Sequence, residues 1–180
     1  AVSVIKDKAR MTVRNPELFI AEPNESYPDT TVRQPLRVII DSQNRLTPDL
    51  PLFSEPSAIL IIRKSLDNCH DWPQFVEQVV IPKACDTEHV CLSSVVKVLA
   101  ERGLNEILVE AGHHLAGAFI AQGLVDELVL YQAPKLLGAD AMSLVSMPDI
   151  KYLADSVTLD IRDIRLVGED IRINAKIKEN

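Results

Sequence analysis

The sequence predicts an α/β domain with a mixed, mostly parallel sheet flanked by helices and closed by an antiparallel hairpin. Three observations predict it. Leu36-Arg37-Val38-Ile39-Ile40 and Ala58-Ile59-Leu60-Ile61-Ile62 are nearly continuous apolar runs, the mark of strands buried on both faces. Segments with helical spacing lie between the later runs, at Ser93 to Arg102 and His113 to Gln122. Near the end, Ile171, Ile173, Ala175 and Ile177 alternate with polar residues, as in a strand with one covered face.

The elements follow in order. Ala1 to Arg14 opens on Val2, Val4 and Ile5 and then turns polar. Asn15 to Gln34 carries Pro16, Pro23 and Pro28 among acidic residues and reads as a long surface loop, a length often tied to function. The Leu36–Ile40 strand leaves through Asp41-Ser42, the Ala58–Ile62 strand through Arg63-Lys64, and a weaker strand at Gln78–Ile81 ends before Pro82. In the helix from Ser93 to Arg102, Val95, Val96, Leu99 and Ala100 share a face. Ser93 or Ser94 is the expected cap and Gly103 the stop. Glu106 to Glu110 is predicted as a strand, followed by a turn at Gly112 and a helix whose stripe is Leu115, Ala116, Phe119 and Ile120, stopped at Gly123. Glu127 to Gln132 is a further strand. Val157–Val167 and Ile171–Ile177 form the hairpin through Gly168-Glu169-Asp170.

Composition narrows the function. The 180 residues are enough for one domain with a real core, 47% of them are apolar, and the net charge of -7 argues against a nucleic-acid partner. No apolar run approaches the roughly 20 residues of a membrane span, and Ala1 to Arg14 lacks the apolar stretch of a signal peptide. The start without methionine reads as processing or as part of something longer. Three cysteines, Cys69, Cys85 and Cys91, suggest no disulfide framework and a reducing cytoplasm. Cys85-x-x-x-His89-x-Cys91 matches no common zinc spacing, so no metal is expected. Trp72 beside Pro73 reads as a packing residue, Lys135 as a solvated strand end, and Asp126-Glu127 as a solvated strand start.

The chemistry concentrates at Glu110-Ala111-Gly112-His113-His114-Leu115-Ala116-Gly117-Ala118. The first turn of a helix carries unpaired N–H groups and partial positive charge, which suits a phosphate. Gly112 permits close approach there, while Gly117 either serves the same purpose or lets the helix pack closely on the sheet. Ligands of open α/β sheets bind beyond the carboxyl ends of the strands, which marks Asp41-Ser42, Arg63-Lys64 and Glu110-Ala111-Gly112. Residue patterns alone therefore reach a nucleotide or phosphate crevice.

Three stretches carry a more specific resemblance. They are Arg33 to Pro48 (RQPLRVIIDSQNRLTP), Val109-Glu110-Ala111-Gly112 through Leu128, and Ala133-Pro134-Lys135-Leu136-Leu137-Gly138. Together they resemble the reductase domain of the bacterial riboflavin-biosynthesis deaminase–reductase, over nearly the whole of residues 1–180. The resemblance implies a dihydrofolate-reductase-like fold. It implies NADPH-dependent reduction of the ribosyl group of 5-amino-6-(5-phosphoribosylamino)uracil to ribityl, in a cytoplasmic homodimer joined through the sheet region. By the same resemblance Ser3, Asp7, Ser42, Gly112, His113, His114, Leu115, Ala116, Gly117 and Ala118 fall on the cofactor side. Met11 and Arg14 fall on the loop that holds the substrate, with Arg14 on its phosphate, and Glu110 falls on a substrate-contacting carboxylate that is also the candidate catalytic group. His113 stands where the family carries a proline or small residue and His114 where threonine or serine is common. Asp7-Lys8-Ala9 replaces a usual Asp-Asp-Pro. The family's first strand and helix are expected upstream of Ala1, and its zinc-dependent deaminase domain has no counterpart, so no deaminase activity is expected. Rival readings are a non-catalytic fragment or pseudoenzyme that keeps the fold, a dihydrofolate-type reductase, and a plain phosphate-binding module.

Overall fold

The computed structural model describes residues 1–13, 34–67, 69–81, 89–147 and 150–178. Arg14, Cys85 and most of the expected Asn15–Gln34 loop lie outside the described residues. The chain divides into two compact units, Ala1–Asn105 and Glu106–Asn180.

The first unit is built on a parallel sheet in the order β1-β2-β3, with β1 at Arg37–Ile40, β2 at Ile59–Arg63 and β3 at Val76–Val80. β2 is central and every one of its residues is buried, which is why its sequence is an unbroken apolar run rather than an alternation. Its side chains supply two cores. Ile59 and Ile61 join Ile39, Leu46, Leu52 and Phe53 on one face, against Val4 and Ile5 of helix α1 (Val2–Asp7) and Trp72. Leu60 and Ile62 join Ile81, Val90, Val95 and Leu99 on the other, where helix α2 (Leu92–Glu101) lies. Trp72 is a packing residue as expected, with its ring 5.2 Å from that of Phe53.

Helix α2 starts one residue before its predicted cap. Cys91 holds the N-cap position without a side-chain capping bond, and Ser93 and Ser94 fall inside the first turn. Burial of Val90, Cys91 and Leu92 fixes where this helix begins, and that outweighs the capping preference of serine. The stop at Gly103 is as predicted. Gly103 has φ +78°, its N–H meets the carbonyl of Ala100 at 2.9 Å, and Leu104 N–H reaches back to Leu99 at 3.2 Å. Helix α3 (His113–Ala121) ends the same way at Gly123, φ +64°, with Leu124 N–H on Phe119 at 3.0 Å. Helix α1 closes with the same pair of bonds, but the left-handed position is Lys8, φ 50°.

The second unit holds α3 and an antiparallel sheet in the order β4-β6-β5, from β4 (Glu127–Gln132), β5 (Leu159–Val167) and β6 (Asp170–Ile177). The closing hairpin is the predicted one, with Gly168 at φ +63° in its two-residue loop. Register places Leu128, Leu130, Ile161, Ile164, Leu166, Ile171, Ile173 and Ala175 on one face of this sheet.

The predicted strand at Glu106–Glu110 joins neither sheet and is a correction to the sequence reading. The segment has no regular structure, and Leu108 is 80% exposed. An apolar run signals a preference for burial, but a strand also requires a partner edge, and periodicity names no partner.

Candidate functional site

The carboxyl edge of the parallel sheet carries a buried charge cluster. Asp41 follows β1 directly and is 1% exposed; Arg63 closes β2 and is fully buried. The carboxylate of Asp41 accepts the backbone N–H of Arg45 at 3.0 Å and of Leu46 at 3.1 Å, which folds the chain after Ser42 into a tight loop. The Arg63 guanidinium lies 3.3 Å from Asp41 and 3.3 Å from Asp67, and its carbon stands 5.0 Å over the Trp72 ring. Asp67 accepts the N–H of Cys69 at 2.9 Å and meets His70 Nδ1 at 2.6 Å. These contacts, led by the Cys69 N–H and then His70, hold its carboxyl down at a pKa of about 2. Asp41 and Arg63 were legible as strand ends. Asp67 and His70 were missed; Arg63 ends a strand and Lys64 to Asp67 are not helical, so their spacing from Arg63 carries no periodic signal.

Ser42 stands at the start of this loop, half-buried, and its Oγ accepts the N–H of Val90 at 3.1 Å. That bond uses the oxygen as acceptor, so the hydroxyl proton remains a donor for a ligand. Ser3 and Asp7 lie four residues apart on α1, hence on one helix face, with Ser3 half-buried and Asp7 exposed. Met11 packs against the first core from a left-handed backbone, φ 55°. An open cavity of about 550 Å³ beside it is lined by Asp7, Lys8, Arg10, Thr12, Val13 and Glu55. The first unit thus contains Ser3, Asp7, Met11 and Ser42; Arg14 lies outside the described residues.

The second unit contains the rest. Gly112 is the N-cap of α3, with no side-chain capping bond, so no side chain of its own occupies the first-turn N–H groups. Its φ of -67° and ψ of 161° are extended backbone that any residue adopts, a correction to the expected glycine turn; the position is exposed, and glycine places no Cβ there. His113 is half-buried, His114 is exposed, and their ring centroids are 4.0 Å apart. Leu115, Ala116 and Ala118 are half-buried. Gly117 is buried, and a Cβ there would overlap the backbone carbonyl of Ser146. Its role is close packing, against the Ser146 segment rather than against the sheet. The N–H of Ser146 also donates to the His113 carbonyl at 2.9 Å. A groove of about 440 Å³ runs along α3, lined by His114, Gly117, Ala118, Ala121, Gln122, Ser146 and Met147. Glu110, just before the helix, is exposed.

A parallel sheet with helices in the first unit and a helix with an antiparallel sheet in the second make this an α/β protein, and its structural neighbours place it in the dihydrofolate-reductase-like class. The chain belongs to the RibD C-terminal domain family, whose profile matches residues 2–173. It is 39% identical to the riboflavin biosynthesis protein RibD of Escherichia coli over 171 residues, covering 95% of this chain and 46% of that protein. It is 29% identical to a 5-amino-6-(5-phosphoribosylamino)uracil reductase of Buchnera aphidicola (Acyrthosiphon pisum), covering 95% of this chain and 81% of that protein. Among solved structures, Acinetobacter baumannii RibD superposes with a TM-score of 0.76 at 25% identity, over 98% of this chain and 45% of that one. The chain spans about half the length of the RibD relatives it matches.

Proposed function

We propose that residues 1–180 act as one reductase domain that reduces the ribosyl group of 5-amino-6-(5-phosphoribosylamino)uracil to ribityl with NADPH. The observation that supports this reading is the match over 95% of the chain to a Buchnera aphidicola protein named 5-amino-6-(5-phosphoribosylamino)uracil reductase.

The residues present fit a dinucleotide phosphate. The first turn of α3 has N–H groups without a side-chain cap, and Gly112 in front of it has no Cβ to hinder approach. His113, His114 and Leu115 would supply those amides, with Ala116, Gly117 and Ala118 continuing the helix behind them. The Ser42 hydroxyl keeps a free donor. By the family resemblance alone, Ser3 and Asp7 of the first unit are also assigned to the cofactor side. Bound there, NADPH would supply the hydride that reduces C1′ of the opened ribose.

The chain's own residues do the rest. The Glu110 carboxylate accepts hydrogen bonds from ribose hydroxyls and orients the sugar. Met11 packs on the substrate, and the Arg14 guanidinium pairs with its phosphate. The exposed aliphatic positions Ile161, Ile164, Leu166 and Ile171 on one sheet face support a homodimeric contact, which light scattering of the purified chain checks directly.

The test is titration calorimetry with NADPH, NADH and the ribosylamino-pyrimidine phosphate as separate ligands. Saturable NADPH binding that weakens in Gly112→Val supports the helix N-terminus as the phosphate site. Glu110→Gln should lower turnover far more than NADPH affinity. A Glu110→Gln variant that loses cofactor affinity while turning over normally at saturation would remove Glu110 from the substrate side.

A further inference from the structure

The segment from Arg10 to Val13 is held from two sides by residues of the β1 approach. Arg37 is buried, and its guanidinium donates to four backbone carbonyls. Nη1 reaches Arg10 at 3.1 Å and Leu52 at 2.6 Å; Nη2 reaches Glu55 at 2.9 Å and Ser57 at 2.8 Å. One planar fork therefore joins the 10–13 segment, the turn at Pro51–Phe53 and the chain entering β2. Three residues along, the Gln34 side-chain carbonyl accepts the N–H of Val13 at 2.9 Å.

Between these two anchors lies Met11 in the left-handed region, φ 55°. That conformation costs a residue with a Cβ about 1–2 kcal/mol, so it persists only where neighbouring contacts impose it. The Arg37 bond fixes the carbonyl of the peptide that precedes Met11, and the Gln34 bond fixes the N–H two residues after it. The anchors thus bracket the strained residue. Lysine in place of Arg37 has no planar fork and cannot serve four carbonyls with three donors.

We propose that Gln34 and Arg37 are positioning residues that hold the 10–13 segment in the conformation that receives the substrate. The proposal rests on the reading that Met11 contacts the substrate, and it goes beyond that reading by naming what sets the segment's shape.

The experiment titrates 5-amino-6-(5-phosphoribosylamino)uracil and NADPH separately into Met11→Ala, Gln34→Leu and Arg37→Lys, with near-ultraviolet circular dichroism confirming that each is folded. Gln34→Leu removes one acceptor at a half-exposed site and keeps the test open if the buried Arg37→Lys change unfolds the chain. Gln34→Leu and Arg37→Lys are each expected to weaken substrate binding about tenfold and to alter NADPH binding by less than about twofold, the effect of losing one ordered hydrogen bond. Equal loss for both ligands means a general structural role and overturns the proposal. Weakening in Met11→Ala without weakening in Gln34→Leu or Arg37→Lys overturns it while leaving the Met11 assignment intact. Unchanged substrate affinity in Met11→Ala removes the assignment itself, and the proposal with it.

Discussion

The backbone carbonyl of Ser146 occupies the space that a side chain on Gly117 would need. Two opposed effects meet at this position. Alanine is a better helix residue than glycine by about 1 kcal/mol, yet forcing a methyl group into packed backbone costs about 1–3 kcal/mol. Contact with backbone rather than with a flexible side chain leaves little room to give, so packing wins. Gly117→Ala is expected to lower the unfolding free energy in urea by about 1–2 kcal/mol. An increase would mean that the Ser146 segment moves aside freely.

Lys8 offers the opposite case. It holds the left-handed position that closes α1, where α2 and α3 use Gly103 and Gly123. Lys8 is exposed, and the turn is closed by backbone bonds, from Lys8 N–H to Ile5 and from Ala9 N–H to Val4. Lys8→Gly is expected to raise stability by about 0.5–1 kcal/mol, because relief at positive φ exceeds the extra entropy of the unfolded glycine. Thermal denaturation checks it; a fall in Tm would show that lysine pays no penalty there.

Arg63 balances two buried carboxylates, Asp41 and Asp67. Removing the cation leaves both without it in a medium that solvates them poorly. Arg63→Met is expected to cost about 3–5 kcal/mol, while Arg63→Met combined with Asp41→Asn and Asp67→Asn should be less destabilised than the single change. Additive losses in urea melts would show that the three groups are not energetically linked.

Asp67 gives the acid limb a sign. Its folded pKa is about 2 against an ordinary value of 3.8, so the folded state favours the carboxylate. This contribution is complete above about pH 4 and is lost as pH falls toward about 2, where the folded state too takes up the proton. Tm measured from pH 6 to 2 should fall less steeply in Asp67→Asn than in the unaltered chain. Parallel curves would place the acid sensitivity elsewhere.

Local chemistry was readable in the sequence. The apolar run Ile59–Ile62 announced a strand covered on both faces, the spacing of Val95 and Leu99 a helix, Gly103 and Gly123 helix ends, and Gly168 a hairpin loop. Three motifs in order carried the family, and the family profile covers the same residues. These signals are short-range: burial periodicity, backbone freedom at positive φ and turn geometry are fixed by a few neighbouring residues. What needed the folded chain were the long-range pairings. Glu106–Glu110 reads as a strand, yet it joins neither sheet, because a ladder is a property of two segments. Gly117 reads as either a phosphate or a packing glycine, and only the position of Ser146 selects packing. The pair of Asp41 with Arg63, and the fork of Arg37 across Arg10, Leu52, Glu55 and Ser57, join residues far apart in sequence. Their partners are set by burial, which forces each charge to find whatever acceptor the tertiary packing brings within reach.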